Sequence, residues 1–348
     1  FCPEDLSLSS FRNYARELPL IDSPEAFGQH VNAEISSQIA DTNALLANLV
    51  SIQPQGGAAA AQEGGGAVET KDDAVLRLCT ALEEKMPEDI DYREIYQRNE
   101  SDPSPLRVVL LQEIQRYNKL LRAVRSSLAS LQKGIKGLVV ISEELEEVMQ
   151  AVYEGKVPKM WSFAYPSLKP LLSWVADLTE RIEQLNRWGL EGAPRVFWLG
   201  GFTYPTGFLT ALLQQSARKN VISIDALSFD FVVQATSDEG QVHQPPKEGA
   251  MVKRMILEGA KWDYNAGHLS EPEPMELFAD MPIVHFRPVA KKKGPSDDMY
   301  GCPLYLYPIR TGTRERPSFM ITVDLKSGSR DPSYWVKRGT ALLLSKAD

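Results

Sequence analysis

The sequence has 348 residues, which is enough for two ordinary domains. Hydrophobic residues make up 43% of it and charged residues 24%, proportions that are typical of globular proteins and exclude a wholly disordered chain. The formal net charge of -8 would repel a phosphate backbone, so a nucleic-acid partner is not expected. Since no apolar run approaches the roughly 20 residues that cross a bilayer, a membrane partner is not expected either.

The three cysteines, Cys2, Cys79 and Cys302, are far apart and form no CxxC pair. This spacing argues against a disulfide framework and against a zinc knuckle, and it suits a reducing cytoplasm. The first residues, FCPEDLSLSS, lack the basic and apolar stretches of a signal peptide. Because the sequence also lacks an initiator methionine, we expect it to be a piece of a longer protein.

The first third of the sequence predicts two helix-rich stretches separated by a loop. Apolar residues recur at helical spacing over Pro24–Val50 and again over Asp73–Met86, where Pro87 ends the helix. Between them, residues 53–70 begin with QPQGGAAAAQEGGG, a composition that cannot offset the entropy of ordering and so predicts a flexible surface loop. A phosphate-binding loop would need Gly-Lys-Ser/Thr at the start of a helix, and that motif is absent.

A long helix is predicted from Pro105 to the glycines at 134 and 137, because apolar residues recur along it in steps of three and four. Its opposite face is basic and carries Arg116, Lys119, Arg122 and Arg125. This face could bind a partner, but an ordinary solvated helix face has the same composition and is the favoured interpretation. Ser142 then predicts an N-cap, since glutamates follow it at 143, 144, 146 and 147.

Two more helices are predicted over Ser167–Trp188, with Gly189 as the C-terminal cap, and over Thr206–Arg218, with the apolar run Val196–Leu199 between them. Beyond them the periodicity changes to two residues, which predicts about six strands. These strands are expected around Phe229–Phe231, Met251–Leu257, Ile283–Phe286, Leu304–Leu306, Phe319–Leu325 and Trp335–Leu344. The sequence therefore predicts an α+β fold, a helical N-terminal half followed by a small antiparallel β-barrel, with the change near Asn220.

The sequence shows no complete catalytic, cofactor-binding or metal site, and we predict no residues for any of them. A GxSxG elbow and HExxH spacing are absent, and the histidines at 30, 243, 268 and 285 are scattered. The segment Ile222–Asp225 resembles the strand and acid of a Walker B segment, but an acid without a phosphate loop binds no nucleotide. An enzyme that uses Asp225, Asp230 and His243 is an alternative. The six tryptophans are expected in a core.

Several stretches resemble the C-terminal region of dynein heavy chains. Near the start, LPLIDSPEAFGQHVNAEI (18–35) matches a family signature, and KGIKGLVVISEELEEV (133–148), VPKMW (157–161) and YPSLKPL (165–171) follow in family order. The order continues with PRVFWLGGF (194–202), FLTALLQQSARKN (208–220), IDALSFDF (224–231), LEGAKWD (257–263), MPIVHF (281–286), CPLY (302–305) and WVKRGTALLL (335–344). The resemblance covers nearly the whole sequence.

The resemblance implies an organisation for the sequence. Residues 1–31 would be the end of the sixth AAA+ module of a six-module ring, and residues 32–155 would be helices of its small subdomain or of the C-terminal domain. Residues 156–220 would be the helical part of the C-terminal domain, and residues 221–348 its β-barrel. In the family the sixth module is nucleotide-free, so no cofactor is expected in this segment. ATP and Mg would be bound by upstream modules of a parent heavy chain that also has a coiled coil.

The resemblance also implies a function. The segment would be a non-catalytic structural and regulatory part of an ATP-driven, minus-end-directed microtubule motor that drives ciliary and flagellar beating. Expected partners are the upstream ring modules of the same heavy chain, other dynein heavy, intermediate and light chains, and microtubules through the parent motor. Expected locations are the cytoplasm, the cytoskeleton and the axoneme of a cilium or flagellum.

Some of these stretches also indicate a type of dynein heavy chain. The stretches VFWLGGF and CPLY favour an axonemal heavy chain, and RTGTRERPSF (310–319) most resembles an outer-arm heavy chain of gamma type. The alternative to a motor segment is a stand-alone helical and β protein-interaction adaptor without motor activity.

Overall fold

The computed structural model describes residues 7–18, 22–52, 70–290, 298–306 and 318–345. The predicted loop over residues 53–70 lies outside the described residues except for Thr70, whose hydroxyl accepts a hydrogen bond from the N–H of Asp73 and caps the next helix. The α-helices of the described residues are α1 (Leu8–Glu17), α2 (Asn32–Ile52), α3 (Lys71–Lys85), α4 (Tyr92–Arg98), α5 (Pro105–Ile135), α6 (Glu143–Tyr153), α7 (Leu171–Glu191), α8 (Pro205–Asn220) and α9 (Pro332–Lys337).

Helix α5 is the centre of the helical region and carries the predicted apolar stripe. Ile114 and Leu128 on this stripe are fully buried, and α3, α4, α6, α7 and α8 all pack against α5. The N-cap of the helix is Ser104, whose hydroxyl accepts a hydrogen bond from the N–H of Leu106. The helix ends before Gly137, which takes a left-handed φ of 72°. Both predicted ends of this helix are therefore confirmed.

The strands form three sheets among the described residues. Their bounds are β1 (Val196–Trp198), β2 (Leu227–Val233), β3 (Ala250–Lys253), β4 (Ile256–Glu258), β5 (Lys261–Asp263), β6 (His268–Ser270), β7 (Phe278–Asp280), β8 (Val284–Ala290), β9 (Met299–Tyr305), β10 (Phe319–Lys326) and β11 (Ala341–Leu343). The first sheet has the order β1-β3-β8-β2, the second has the order β10-β9-β11-β4-β7, and β5 pairs with β6. Most neighbours are antiparallel, but β1 runs parallel to β3, and β11 runs parallel to β9.

The α+β class is confirmed, but the closed β-barrel is not. Within the described part of the molecule, the two larger sheets have edge strands with no further strand beside them, β1 and β2 in one and β10 and β7 in the other. Strands β2 and β10 approach each other, yet no ladder of hydrogen bonds joins them. Side chains of both sheets, such as Phe286 and Leu304, belong to one buried cluster. Because a barrel closes only when every edge is paired, the region consists of open sheets that share a core.

Two predicted strands have a different structure. The stretch Trp335–Leu344 is helix α9 followed by strand β11, because Asp331 caps α9 by accepting a hydrogen bond from the N–H of Ser333 at 2.8 Å. The stretch Met251–Leu257 is divided into β3 and β4, since Arg254 takes a left-handed φ of 61° that no strand can contain. A short apolar run predicts neither a helical turn nor a break of this kind.

Helix α7 continues past the predicted cap at Gly189 and ends at Glu191, followed by Gly192 with a φ of 97°. Gly189 is required inside the helix for a different reason. A Cβ atom on it would lie 2.4 Å from Cδ1 of Ile95 in α4, so only glycine allows α4 and α7 to approach this closely. All six tryptophans are buried, as predicted.

Candidate functional site

The helical and β regions meet around one buried arginine, Arg181 of α7. We call this contact the joint and define it by Tyr117, Asp177, Arg181, Gln184, Trp198 and Arg254. Nε of Arg181 donates a hydrogen bond to Asp177 Oδ2 at 2.6 Å, and Nη1 donates to the hydroxyl of Tyr117 at 3.3 Å. The guanidinium also lies 4.1 Å from the ring centroid of Tyr165 and 5.0 Å from that of Trp198. Aromatic faces attract such a cation, so the joint surrounds it with favourable partners.

The charge of the joint is fixed by its surroundings. Burial by itself lowers the pKa of the Arg181 guanidinium, but Tyr117, Tyr165 and Asp177 raise it above its usual value. Burial also raises the pKa of Tyr117, whose neutral hydroxyl donates a hydrogen bond to the carbonyl of Gly201 at 2.9 Å. Neither group changes its charge near neutral pH. Arg181 and Tyr117 can therefore hold two regions together, but these two groups are not suited to exchange protons with a substrate near neutral pH.

Gln184 of α7 covers the edge of strand β1. Its Oε1 accepts a hydrogen bond from the N–H of Trp198 at 2.8 Å, and its Nε2 donates to the carbonyl of Trp198 at 3.1 Å. The amide thus takes the place of a neighbouring strand. Arg254, between β3 and β4, lies 5.0 Å from the Trp198 ring centroid and pairs with Glu180 of α7. Helix α7 is therefore attached to the first sheet at two points.

Glu113 of α5 holds the turn that precedes α8. This buried carboxylate accepts hydrogen bonds from the N–H groups of Thr203 at 2.6 Å and Tyr204 at 3.2 Å, and from the Thr203 hydroxyl at 2.9 Å. It also pairs with Arg116 at 2.8 Å. These N–H groups precede Pro205, the first residue of α8. A side chain of α5 therefore fixes the backbone that leads into α8.

The basic face of α5 is used within the molecule. Arg116 pairs with Glu113, while Arg122 and Arg125 both pair with Asp89 in the segment before α4. Lys119, the fourth cation of this face, lies 5.5 Å from the ring centroid of Phe163. Lys119 and Arg122 are exposed, as expected of a solvated face, and three of the four cations also have carboxylate partners within the molecule.

Helix α2 is attached to the β region by its first residue, Asn32. Its Nδ2 donates hydrogen bonds to the carbonyls of Glu273 at 2.9 Å and Glu276 at 3.0 Å, and its Oδ1 accepts one from the N–H of Met275 at 2.9 Å. We call these three hydrogen bonds the Asn32 clip. Among the side chains described before residue 47, Asn32 is the only buried one, at 6% exposure.

The residues of the alternative enzyme hypothesis lie in three separate elements. Asp225 is in a one-turn 3-10 helix, Asp230 is in β2 beside Arg287, and His243 is in the loop before β3. The stretch Ile222–Asp225 is irregular backbone followed by that 3-10 helix and contains no strand, which agrees with the rejection of the Walker B resemblance. In the described ranges, no group of three His, Cys, Asp or Glu side chains is arranged to hold a metal ion. None of the helices described is both long and apolar enough to span a membrane.

Sequence reasoning missed the joint, although a signal for it was present. Asp177 and Arg181 are four residues apart and lie within the apolar stripe of α7, next to Leu178. Glu113 similarly lies between Leu110 and Tyr117 on the buried stripe of α5. A charged side chain on an apolar helix face is rarely buried without a partner. That position could have marked both helices as sites of a tertiary contact.

Comparison with known proteins connects this architecture to one family. Residues 39–344 match the family model for the C-terminal domain of the dynein heavy chain. The sequence is 54% identical over 347 residues, all of its length, to the Dynein-1-beta heavy chain of the flagellar inner arm I1 complex from Chlamydomonas reinhardtii. It is 48% identical over 346 residues (99% of its length) to dynein axonemal heavy chain 2, and 38% identical over 353 residues (98%) to dynein axonemal heavy chain 1, both from Homo sapiens. It spans 8% of the length of each of these relatives.

Proposed function

This chain belongs to the dynein heavy chain family, and on that premise we propose that it is the non-catalytic C-terminal part of an ATP-driven, minus-end-directed microtubule motor. The observation that carries the proposal is the family match over residues 39–344, together with 54% identity to an axonemal heavy chain over the whole sequence. The parent heavy chain would drive ciliary or flagellar beating from the axoneme.

The parent heavy chain in this proposal belongs to an inner arm. The relative with 54% identity is named for the flagellar inner arm I1 complex. This departs from the outer-arm gamma type that the stretch RTGTRERPSF (310–319) suggested. The stretch lies mostly outside the described residues. The inner-arm proposal rests on identity along the whole sequence and not on this one stretch.

In the proposed motor, nucleotide binding belongs to other segments of the heavy chain. ATP and Mg would be bound by upstream modules, because this segment has no Gly-Lys-Ser/Thr phosphate loop. Residues 1–31 would end the sixth AAA+ module, residues 32–155 and 156–220 would be helical, and residues 221–348 would be the β region. The partners would be the upstream modules of the same heavy chain, other dynein heavy, intermediate and light chains, and microtubules through the parent motor.

The contribution of this segment would be mechanical. Helix α7 is attached to α5 through Arg181 and Tyr117, and to the first sheet through Gln184 and Arg254. Close-packed interiors of this kind transmit a displacement instead of absorbing it. A movement that reaches the helical region would therefore be passed to the β region as a unit. Such coupling suits a segment that holds ring modules together while they change shape.

Microtubule pelleting tests the motor assignment. Antibodies against the glycine-alanine stretch within residues 53–69 would follow the native polypeptide in an extract of cilia or flagella. A heavy chain that pellets with microtubules and is released by ATP supports the proposal. If the antibodies instead recognise a polypeptide of about 348 residues whose pelleting does not change with ATP, the stand-alone adaptor hypothesis replaces the motor assignment.

The mechanical role is tested by Arg254→Ala in the intact motor, with Arg187→Ala as the control. Both arginines are at the surface, but only Arg254 links α7 to the sheet through Glu180 and Trp198. We expect Arg254→Ala to lower the stall force in single-motor traces while microtubule-free ATPase activity stays at the wild-type level. A stall force equal to that of the Arg187→Ala motor would contradict the mechanical role.

A further inference from the structure

Four consecutive apolar residues are exposed in the turn between α5 and α6. They are Leu138, Val139, Val140 and Ile141, and Val140 reaches 91% exposure. Single exposed apolar side chains are ordinary on protein surfaces, whereas a contiguous group marks an interaction site. We call residues 138–141 the apolar turn.

The apolar turn is held rigidly at its first end by the C-terminal cap of α5. The N–H of Gly137 donates to the carbonyl of Gly134, and the N–H of Leu138 donates to the carbonyl of Lys133, both at 2.9 Å. With Gly137 at a φ of 72°, these bonds form a Schellman motif. The residue in the position of Leu138 usually packs back on its own helix in this motif, but here its side chain faces solvent.

The second end of the turn is held by the start of α6. The hydroxyl of Ser142 accepts a hydrogen bond from the N–H of Leu145 at 3.3 Å. Ile141 lies directly against the backbone of α5, since a Cβ atom on Gly134 would come within 2.8 Å of Ile141 Cγ1. The apolar turn is therefore ordered before it meets a partner, and binding would cost little conformational entropy.

Charged residues on both sides of the apolar turn indicate which charges a complementary partner surface carries. The exposed carboxylates of Glu143, Glu144 and Glu146 lie at the start of α6, whereas exposed Lys133 and Lys136 lie at the end of α5. A complementary surface has an apolar centre and basic groups facing the start of α6. The predominance of acidic groups at this end makes a basic rim the main requirement.

We infer that the apolar turn is the contact through which this segment docks on an upstream module of its own heavy chain. This inference rests on the proposed function and adds the surface that the docking uses. The sequence spans 8% of the length of its relatives, so most of the polypeptide in such a heavy chain is tethered to this segment. A tethered surface is present at millimolar effective concentration, roughly, which favours it over a separate protein.

Photo-cross-linking in the intact heavy chain tests the docking. Benzoylphenylalanine would replace Val140, and the cross-linked peptides would be identified by mass spectrometry after irradiation. We expect cross-links to peptides of the same heavy chain that precede this segment, with a yield that does not depend on protein concentration. The matched control carries the same amino acid at Val221, which is as exposed as Val140 but lies outside any run of four exposed apolar residues. Its yield is expected to be lower by on the order of tenfold.

Each other outcome overturns the inference. Cross-links to a light or intermediate chain, or to a second heavy chain, would assign the apolar turn to assembly between polypeptides, and equal yields at positions 140 and 221 would leave it without a partner. A second variant, Val140→Asp, should make the turn between α5 and α6 a new site of limited proteolysis, whereas Val221→Asp should not. Microtubule pelleting is measured separately. If the heavy chain pellets with microtubules but gives no upstream cross-link, the docking inference is rejected and the proposed function is not.

Discussion

Asn32 attaches the N-terminal part of the molecule to the β region through three hydrogen bonds. Its amide uses both donor positions and its acceptor on the backbone of residues 273–276. The segment it holds includes Met275, which takes a left-handed φ of 68° that is unusual for a side chain of this size. The hydrogen bonds of the clip therefore stabilise a conformation that the local sequence alone does not favour.

Replacing Asn32 by alanine removes all three hydrogen bonds of the clip. Each such bond contributes about 0.5–1.5 kcal/mol, so the loss of all three should make amide exchange at Met275 faster by at least roughly 10-fold. Hydrogen–deuterium exchange of peptides that cover residues 272–277 would measure the change. Asn43→Ala is the control, since Asn43 is exposed on the same helix. Equal exchange in the two variants would show that the clip does not order the segment.

The buried thiol of Cys79 makes stability depend on alkaline pH. Burial, with a smaller effect from Glu83, raises the pKa of Cys79 from 9.0 to about 11. Between these values the unfolded polypeptide loses the proton first, so the free energy of unfolding falls as the pH rises through this range. The full benefit is present below pH 9, and the loss approaches about 2–3 kcal/mol near pH 11.

Urea unfolding of the wild type and of Cys79→Ala from pH 8 to pH 10.5 would measure this effect. The variant loses packing at every pH, so the difference between the two free energies of unfolding is large at pH 8. We expect that difference to shrink as the pH rises, because only the wild type carries the thiol. A difference that stays constant with pH would mean that the thiol ionises in the folded protein as it does in the unfolded one.

At the scale of elements, helix α7 is positioned by the residue that was expected to end it. Gly189 lies against Ile95, which brings α4 and α7 together, and the carbonyl of Gly189 accepts a hydrogen bond from Asn99 Nδ2 at 3.1 Å. Two other positions of α7, Gln184 and Arg181, reach the sheet and α5. One helix therefore sets the spacing of its neighbours on several sides.

Gly189→Ala places a methyl group where Ile95 packs, so α4 must move away from α7. We expect a loss of about 1–3 kcal/mol in the free energy of unfolding, which is the usual cost of overpacking. In an Ile95→Ala background the added methyl group has room, and the same substitution should cost much less. Additive effects of the two substitutions would show that the close approach of α4 and α7 does not limit stability.

At the scale of the whole molecule, one buried cluster extends from Val75 to Leu344 and includes both the helical and the β region. Strand β1 precedes α8 in sequence but pairs with β3 in the first sheet. The change in periodicity near Asn220 is therefore a change of secondary structure inside a continuous core. This arrangement argues against two units that fold separately on either side of residue 220.

A polypeptide of residues 1–220 should fail to unfold cooperatively, because β1 loses β3 and the core loses its β half. Residues 22–348 provide the control, since α1 contributes no buried side chain. Thermal unfolding followed by near-ultraviolet circular dichroism, with a dye that binds exposed apolar surface, would distinguish the two. A cooperative transition in the shorter polypeptide would make residue 220 a genuine boundary between domains.

Local signals account for the elements that the sequence predicted well. The apolar stripe of α5 repeats over 31 residues, and the caps at Thr70, Ser104 and Ser142 act on backbone groups two or three residues away. Strands β2, β8 and β10 likewise follow from apolar runs or alternation within single segments. Short elements such as α9 and β7 were missed, because so few residues contain too little periodicity to distinguish helix from strand.

The sequence by itself determined the helices with long apolar stripes and the change from helical to strand periodicity, because both depend on residues that are close together in the sequence. It also determined the family, because the family motifs occur in order along the sequence. Only the tertiary structure decided that the sheets stay open, that β1 joins β3, that Arg181, Glu113 and Asn32 find partners from distant segments, and that the apolar turn faces solvent. These features depend on pairing between residues that lie far apart in the sequence. Periodicity in one segment says which face is apolar, but which distant group will meet that face depends on how all the segments pack together.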